Sequence, residues 1–78
     1  MTEVVTCRFM EYEYYDVQHD RIAMRLEAIT NNGTWYTDIE AGKNVRKQRS
    51  DFQEAAITYI QNGLEPGYIN LDTSKELH

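Results

Sequence analysis

The chain reads as an α+β domain of two layers: a three- to four-stranded antiparallel meander sheet with one helix from the C-terminal half packed on one face. Three stretches predict this. Ser50–Leu64 (SDFQEAAITYIQNGL) places Phe52, Ala55, Ala56, Tyr59 and Ile60 on one face at helical spacing. Arg21–Thr30 alternates, with Ile22, Met24, Leu26 and Ala28 one way and Arg21, Ala23, Arg25 and Glu27 the other, as in a strand with one buried face. Asn31-Asn32-Gly33 then supplies residues that tolerate the positive φ of a tight hairpin.

Each element follows in order. Val4 to Tyr15 is rich in β-branched and aromatic residues and holds neither Gly nor Pro, so it predicts a long first strand. Its apolar side changes midway, from Val5, Cys7 and Phe9 to Met10, Tyr12 and Tyr14, which predicts a bulge or strong twist near Phe9–Glu11. Asp16–Asp20 (DVQHD) is a turn, and Thr34–Ile39 is the third strand, with Trp35, Thr37 and Ile39 on one face. Glu40–Arg49 has two readings: a turn and a short extended segment over Asn44–Lys47, which we prefer, or a helix starting near Asn44. The preference rests on Ser50 and Gln53, which form a capping box if the helix starts at Ser50. Gly63 is placed to close the helix, with Leu64 reaching back to Tyr59. Glu65-Pro66-Gly67 is a turn, and Tyr68, Ile69 and Leu71 make a short edge strand or an extended tail. Residues 72–78 read as a frayed end of a single domain spanning 1–78.

Composition narrows the function classes. With 78 residues and one cysteine, the chain forms one small core and no internal disulfide. The start lacks the pattern of a signal peptide, and no stretch has the roughly 18 apolar residues of a membrane span, so a cytoplasmic protein is expected. The formal net charge is −5, unevenly placed. Residues 1–20 sum to −4, residues 21–49 to +3 and residues 50–78 to −4. Net acidity opposes nonspecific binding of nucleic acid or membrane by the whole domain.

Candidates for chemistry are few. Cys7, mid-strand on the apolar side, reads as a buried small residue, because reactive thiols need exposure and positive neighbours. His19 between Asp16 and Asp20 matches no metal-ligand spacing and reads as an exposed loop histidine. Glu11 with Glu13, and Asp38 with Glu40, are paired carboxylates, but acid–base catalysis needs one of a pair desolvated in a cleft. The four glycines sit at turns and caps and form no phosphate loop. No catalytic residue, metal or cofactor is expected, and the chain reads as a non-enzyme.

Two surfaces remain. In the first strand Glu11, Tyr12, Glu13 and Tyr14 alternate an acidic with an aromatic row, and Asp16 and Asp20 follow. Exposed tyrosine beside carboxylate suits a protein–protein contact with a basic partner. Such a protein is similar in general character to small phage-encoded inhibitors of nucleic-acid enzymes, of the anti-CRISPR or anti-restriction kind, which offer carboxylates where DNA phosphates would bind. A homodimer through the first strand or through Ile57 is a further expectation. The second surface is basic: Lys43, Arg46, Lys47 and Arg49. The order NNGTWYTDIEAGKNVRKQRSDFQEAA resembles the ββα end of double-stranded-RNA-binding domains and of three-stranded DNA-binding domains in some phage integrases, over roughly half the chain. The resemblance implies a nucleic-acid-binding module. The chain departs from the RNA-binding pattern in lacking its N-terminal helix and its lysine-rich helix start. Ser50-Asp51-Phe52-Gln53-Glu54 stands there instead, and its acids would repel phosphate.

Overall fold

Arg21–Thr30, the stretch with the cleanest alternation, is the central strand. The computed structural model describes residues 6–71 and orders the elements β1 (Cys7–Asp16), β2 (Arg21–Thr30), β3 (Gly33–Glu40) and α1 (Val45–Gln61). The strands form one antiparallel sheet in the order β1-β2-β3. This is the expected meander with one helix after it. Val4 and Val5, the expected start of the first strand, and the tail 72–78 lie outside the described residues.

Register assigns every side chain to a face. Phe9, Ala28 and Trp35 form one row across the sheet, as do Glu11, Leu26 and Thr37, and then Glu13, Met24 and Ile39. The helix covers this face. Leu26, Ala28, Trp35, Phe52, Ala56 and Ile69 are buried at its centre, with Val45, Ala55, Tyr59 and Ile60 packed around them. Ala56 is fully buried, and its small side chain lets the helix sit close to the sheet. Ile22 departs from expectation. It shares the core face but is 48% exposed, because the β1–β2 hairpin runs on past the ground the helix covers.

β1 carries no bulge. Its pairing with β2 runs unbroken from Cys7 opposite Thr30 to Asp16 opposite Arg21. The change of apolar side has another cause: helix coverage stops partway along the strand. Phe9 meets Phe52 edge-on, ring centroids 6.5 Å apart, whereas Glu11 is matched by Arg49. Cys7 is also corrected. It is exposed, not buried, because it lies on the outer strand away from the middle of the core.

The helix begins at Val45, so Ser50 and Gln53 lie inside it, no capping box forms, and Asn44–Lys47 is not an extended strand. Asn44 caps the helix in the left-handed region, φ 52°, with no side-chain cap bond. Val45 lies two turns before Phe52 on the same stripe, so starting there buries one more apolar side chain and adds a turn of backbone hydrogen bonds. That outweighs the roughly 1 kcal/mol of a good cap. The Gln48 side-chain amide donates to the Lys43 carbonyl at 2.8 Å and ties down the entry. The C-terminal end is as expected. Gly63 takes φ 66°; its N–H donates to Ile60 O at 3.2 Å and the Leu64 N–H to Tyr59 O at 3.1 Å, the two bonds of a Schellman cap.

In the second hairpin Thr30 pairs with Gly33, and of the turn residues only Gly33 takes a positive φ, 136°. The Thr30 hydroxyl donates to Gly33 O at 2.7 Å and accepts from the Asn32 N–H at 3.1 Å. The expected final strand is reduced to one parallel bridge between Tyr68 and Tyr36. The Tyr36 N–H donates to Gly67 O at 3.0 Å, and the Ile69 N–H donates to Tyr36 O at 2.8 Å. These bonds seal the outer edge of β3 there and bury Ile69 completely.

Candidate protein-binding surface

The face of the sheet away from the helix bears three mixed rows: Met10, Glu27 and Tyr36; Tyr12, Arg25 and Asp38; Tyr14, Ala23 and Glu40. Arg25 is its centre. Its guanidinium binds Asp38 through two hydrogen bonds of 2.9 and 3.1 Å. It also lies over the Tyr36 ring, 4.7 Å from the centroid, with the Tyr14 ring at 5.9 Å. Tyr36 in turn meets Tyr68 edge-on at 5.7 Å, and Tyr12 leans on Tyr14 at 6.5 Å. A planar cation stacked between rings and held by a two-pronged carboxylate keeps one orientation at low entropic cost. The Asp38 carboxylate raises the Arg25 pKa, against the smaller opposing effect of burial. Burial first, and then the Asp38 carboxylate, raise the Tyr14 pKa. Met10, Tyr12 and Tyr68 remain 44–54% exposed.

The structure separates the residues expected to act together on β1. Tyr12 and Tyr14 lie on the open face, whereas Glu11 and Glu13 project to the helix side. Glu11 is engaged there: the Arg49 guanidinium donates to both its oxygens at 2.6 and 2.8 Å. Asp16 and Asp20 sit at the hairpin end. Asp16 accepts from the His19 backbone at 3.3 Å and pairs with His19 Nδ1 at 2.8 Å, and the Tyr15 hydroxyl donates to Asp20. Among the described residues Glu13 makes no ion pair.

No family model, characterised protein or solved structure matches the chain. The surface therefore has to be read from its own chemistry. No helix among the described residues is long and apolar enough to cross a membrane.

The basic residues are divided as well. Arg49 faces β1, Lys43 Nζ lies 4.0 Å from Glu40, and Arg46 and Lys47 are exposed in the first turn of α1. Because the helix starts at Val45, its first turn contains no acid; Asp51 and Glu54 lie farther along. Sequence reasoning missed Arg25 as a site residue, although the signal was present. Counting back along both strands from the Asn31-Asn32 turn sets Arg25 opposite Asp38.

The Glu11–Arg49 pair makes stability depend on acid. The Arg49 hydrogen bonds, against a smaller desolvation cost, hold the Glu11 carboxyl below its usual 4.5. A depressed folded-state value means the contribution is whole above that usual value and vanishes as pH falls through the folded one. Glu11→Gln is therefore less stable than the wild type at neutral pH, and the gap closes as the pH falls through the depressed Glu11 value. Urea midpoints of the two proteins at each pH check this; a gap that stays constant disproves it.

Proposed function

We propose that this chain is a non-enzymatic binding module that docks a protein partner on the open tyrosine–arginine face of its sheet. The observation that carries the reading is the ordered cluster of Arg25, Tyr14, Tyr36 and Tyr68, flanked by exposed Met10 and Tyr12. Arg and Tyr supply the dominant contacts of many protein interfaces, and a preorganised pair loses little entropy on docking. The carboxylates Glu13, Asp16 and Asp20 add negative charge toward the protruding hairpin, complementary to a partner with a basic surface. The role that fits is a small inhibitor of a nucleic-acid-processing or defence complex, of the anti-CRISPR or anti-restriction type, in the cytoplasm of its host cell. Glu11 contributes less to such charge mimicry because Arg49 neutralises it.

The test is affinity capture with the folded full chain, followed by titration against the identified partner. Tyr12→Ala and Tyr68→Ala, both at exposed rings, each weaken binding by about tenfold or more. Partner affinity unchanged in both variants would sink this face as the docking site, and charge reversal of Glu13 and Asp20 without effect would remove the basic partner.

One observation favours a second reading, a nucleic-acid-binding module. The acid-free helix start with exposed Arg46 and Lys47, next to Lys43, is more basic than the sequence implied. Duplex binding that weakens steeply with salt, and more weakly in Arg46→Glu/Lys47→Glu, supports that reading. Absence of any duplex binding at low salt removes it.

A further inference from the structure

Natural sheets blunt a long outer strand with inward-facing charge, proline, a bulge, short length or a covering segment. Among the described residues β1 has the charge of Glu11 and Glu13 on its helix side and none of the other devices. It is ten residues long, lacks proline, pairs with β2 without a bulge, and meets no strand on its other side. Each face carries exposed apolar side chains, Phe9 and Tyr15 on one and Met10 and Tyr12 on the other, between 37% and 54% exposed. Its residues also complement themselves.

We infer that the chain forms a two-fold dimer in which β1 of one copy pairs antiparallel with β1 of the other, centred on Tyr12, giving a continuous six-stranded sheet. Setting Tyr12 opposite its own copy places Met10 opposite Tyr14, Phe9 opposite Tyr15 and Arg8 opposite Asp16. All of these pairs share a face, because residues an even number apart on a strand point the same way. Arg8 makes no ion pair within one copy among the described residues, and this register supplies two Arg8–Asp16 pairs, one at each end. The two like-charge juxtapositions, Glu11 of each copy with Glu13 of the other, carry their own remedy: Arg49 already sits on Glu11 on that side of the sheet. Moving the centre by one residue sets Glu11 against Glu11 or Glu13 against Glu13, and both charge pairs are lost. Both helices then lie on one side, and the two open faces join into one surface running across Tyr12. This inference does not depend on which class of partner that surface takes.

Sedimentation of the full chain decides whether it pairs, and cross-linking decides where. The expected species has twice the 9.2 kDa chain mass. Arg8→Glu, which keeps the fold by circular dichroism, weakens the dimer by about tenfold or more by turning two attractions into repulsions. In a Cys7→Ser background Tyr12→Cys forms an interchain disulfide on mild oxidation, because residues opposite one another in a sheet lie within disulfide reach; Ile57→Cys, at the exposed helix face, does not. A chain that stays monomeric at about millimolar concentration, leaving the edge to a foreign strand or to none, overturns the inference. A dimer that cross-links through Ile57→Cys and not through Tyr12→Cys overturns it as well.

Discussion

Phe52→Ala lowers stability by about 3–5 kcal/mol, enough to leave much of the protein unfolded at room temperature. Phe52 is 1% exposed and fills the centre of the layer between helix and sheet. It is also the helix's aromatic contact with β1, through Phe9. Truncation opens a cavity against Leu26 and Ala28 and withdraws that contact together. A sheet of three strands with one helix has no second core to make up the loss. Phe52→Leu keeps most of the volume and costs about 1–2 kcal/mol. Urea denaturation followed by circular dichroism separates the two; equal, small shifts for both would show that Phe52 is not the central packing residue.

Gly33→Ala is expected to cost about 2–4 kcal/mol, although it adds one methyl group at the edge of a turn. Gly33 holds φ 136°, where side chains are strained, and a Cβ built there falls 2.4 Å from Pro66 Cγ and 2.8 Å from Pro66 Cβ. The proline ring cannot swing aside as a flexible chain end could. It must move with Gly67–Ile69, the segment hydrogen-bonded to Tyr36. The substitution should therefore loosen the tail as well as the hairpin, and amide exchange at Ile69 should quicken more than at Leu26. A Tm drop with no preferential change at Ile69 would separate the turn from the tail.

The strands were legible because their periodicity and turn chemistry agree. Arg21–Thr30 keeps Ile22, Met24, Leu26 and Ala28 on one side and ends at Asn-Asn-Gly, so its limits, its core-facing side and the register to β3 follow together. The helix end at Gly63 was legible for the same reason: one residue type suits one backbone conformation. The helix start was not. Ser50 and Gln53 have the local form of a cap, and only the burial of Val45 against the sheet, a tertiary effect, moves the start back to Val45. Tertiary coverage also explains Ile22 and Cys7, apolar in sequence yet exposed because the helix does not reach them. In the candidate surface, the alternation of Glu11–Tyr14 correctly divides carboxylates from rings. What no single strand contains is the cross-strand assembly of Arg25 with Asp38, Tyr14 and Tyr36, or the reach of Arg49 across to Glu11.

The bridge from Gly67 to Ile69 has a consequence for stoichiometry. A sheet with two bare margins can propagate, each newcomer exposing a fresh site, and the end product is a fibril. Here Gly67–Ile69 occupies the margin beside Tyr36, so in the proposed dimer strand addition has a single direction and ends after one step. The ten residues of β1 can stay sticky on one flank because a few residues after the helix make the other flank terminal.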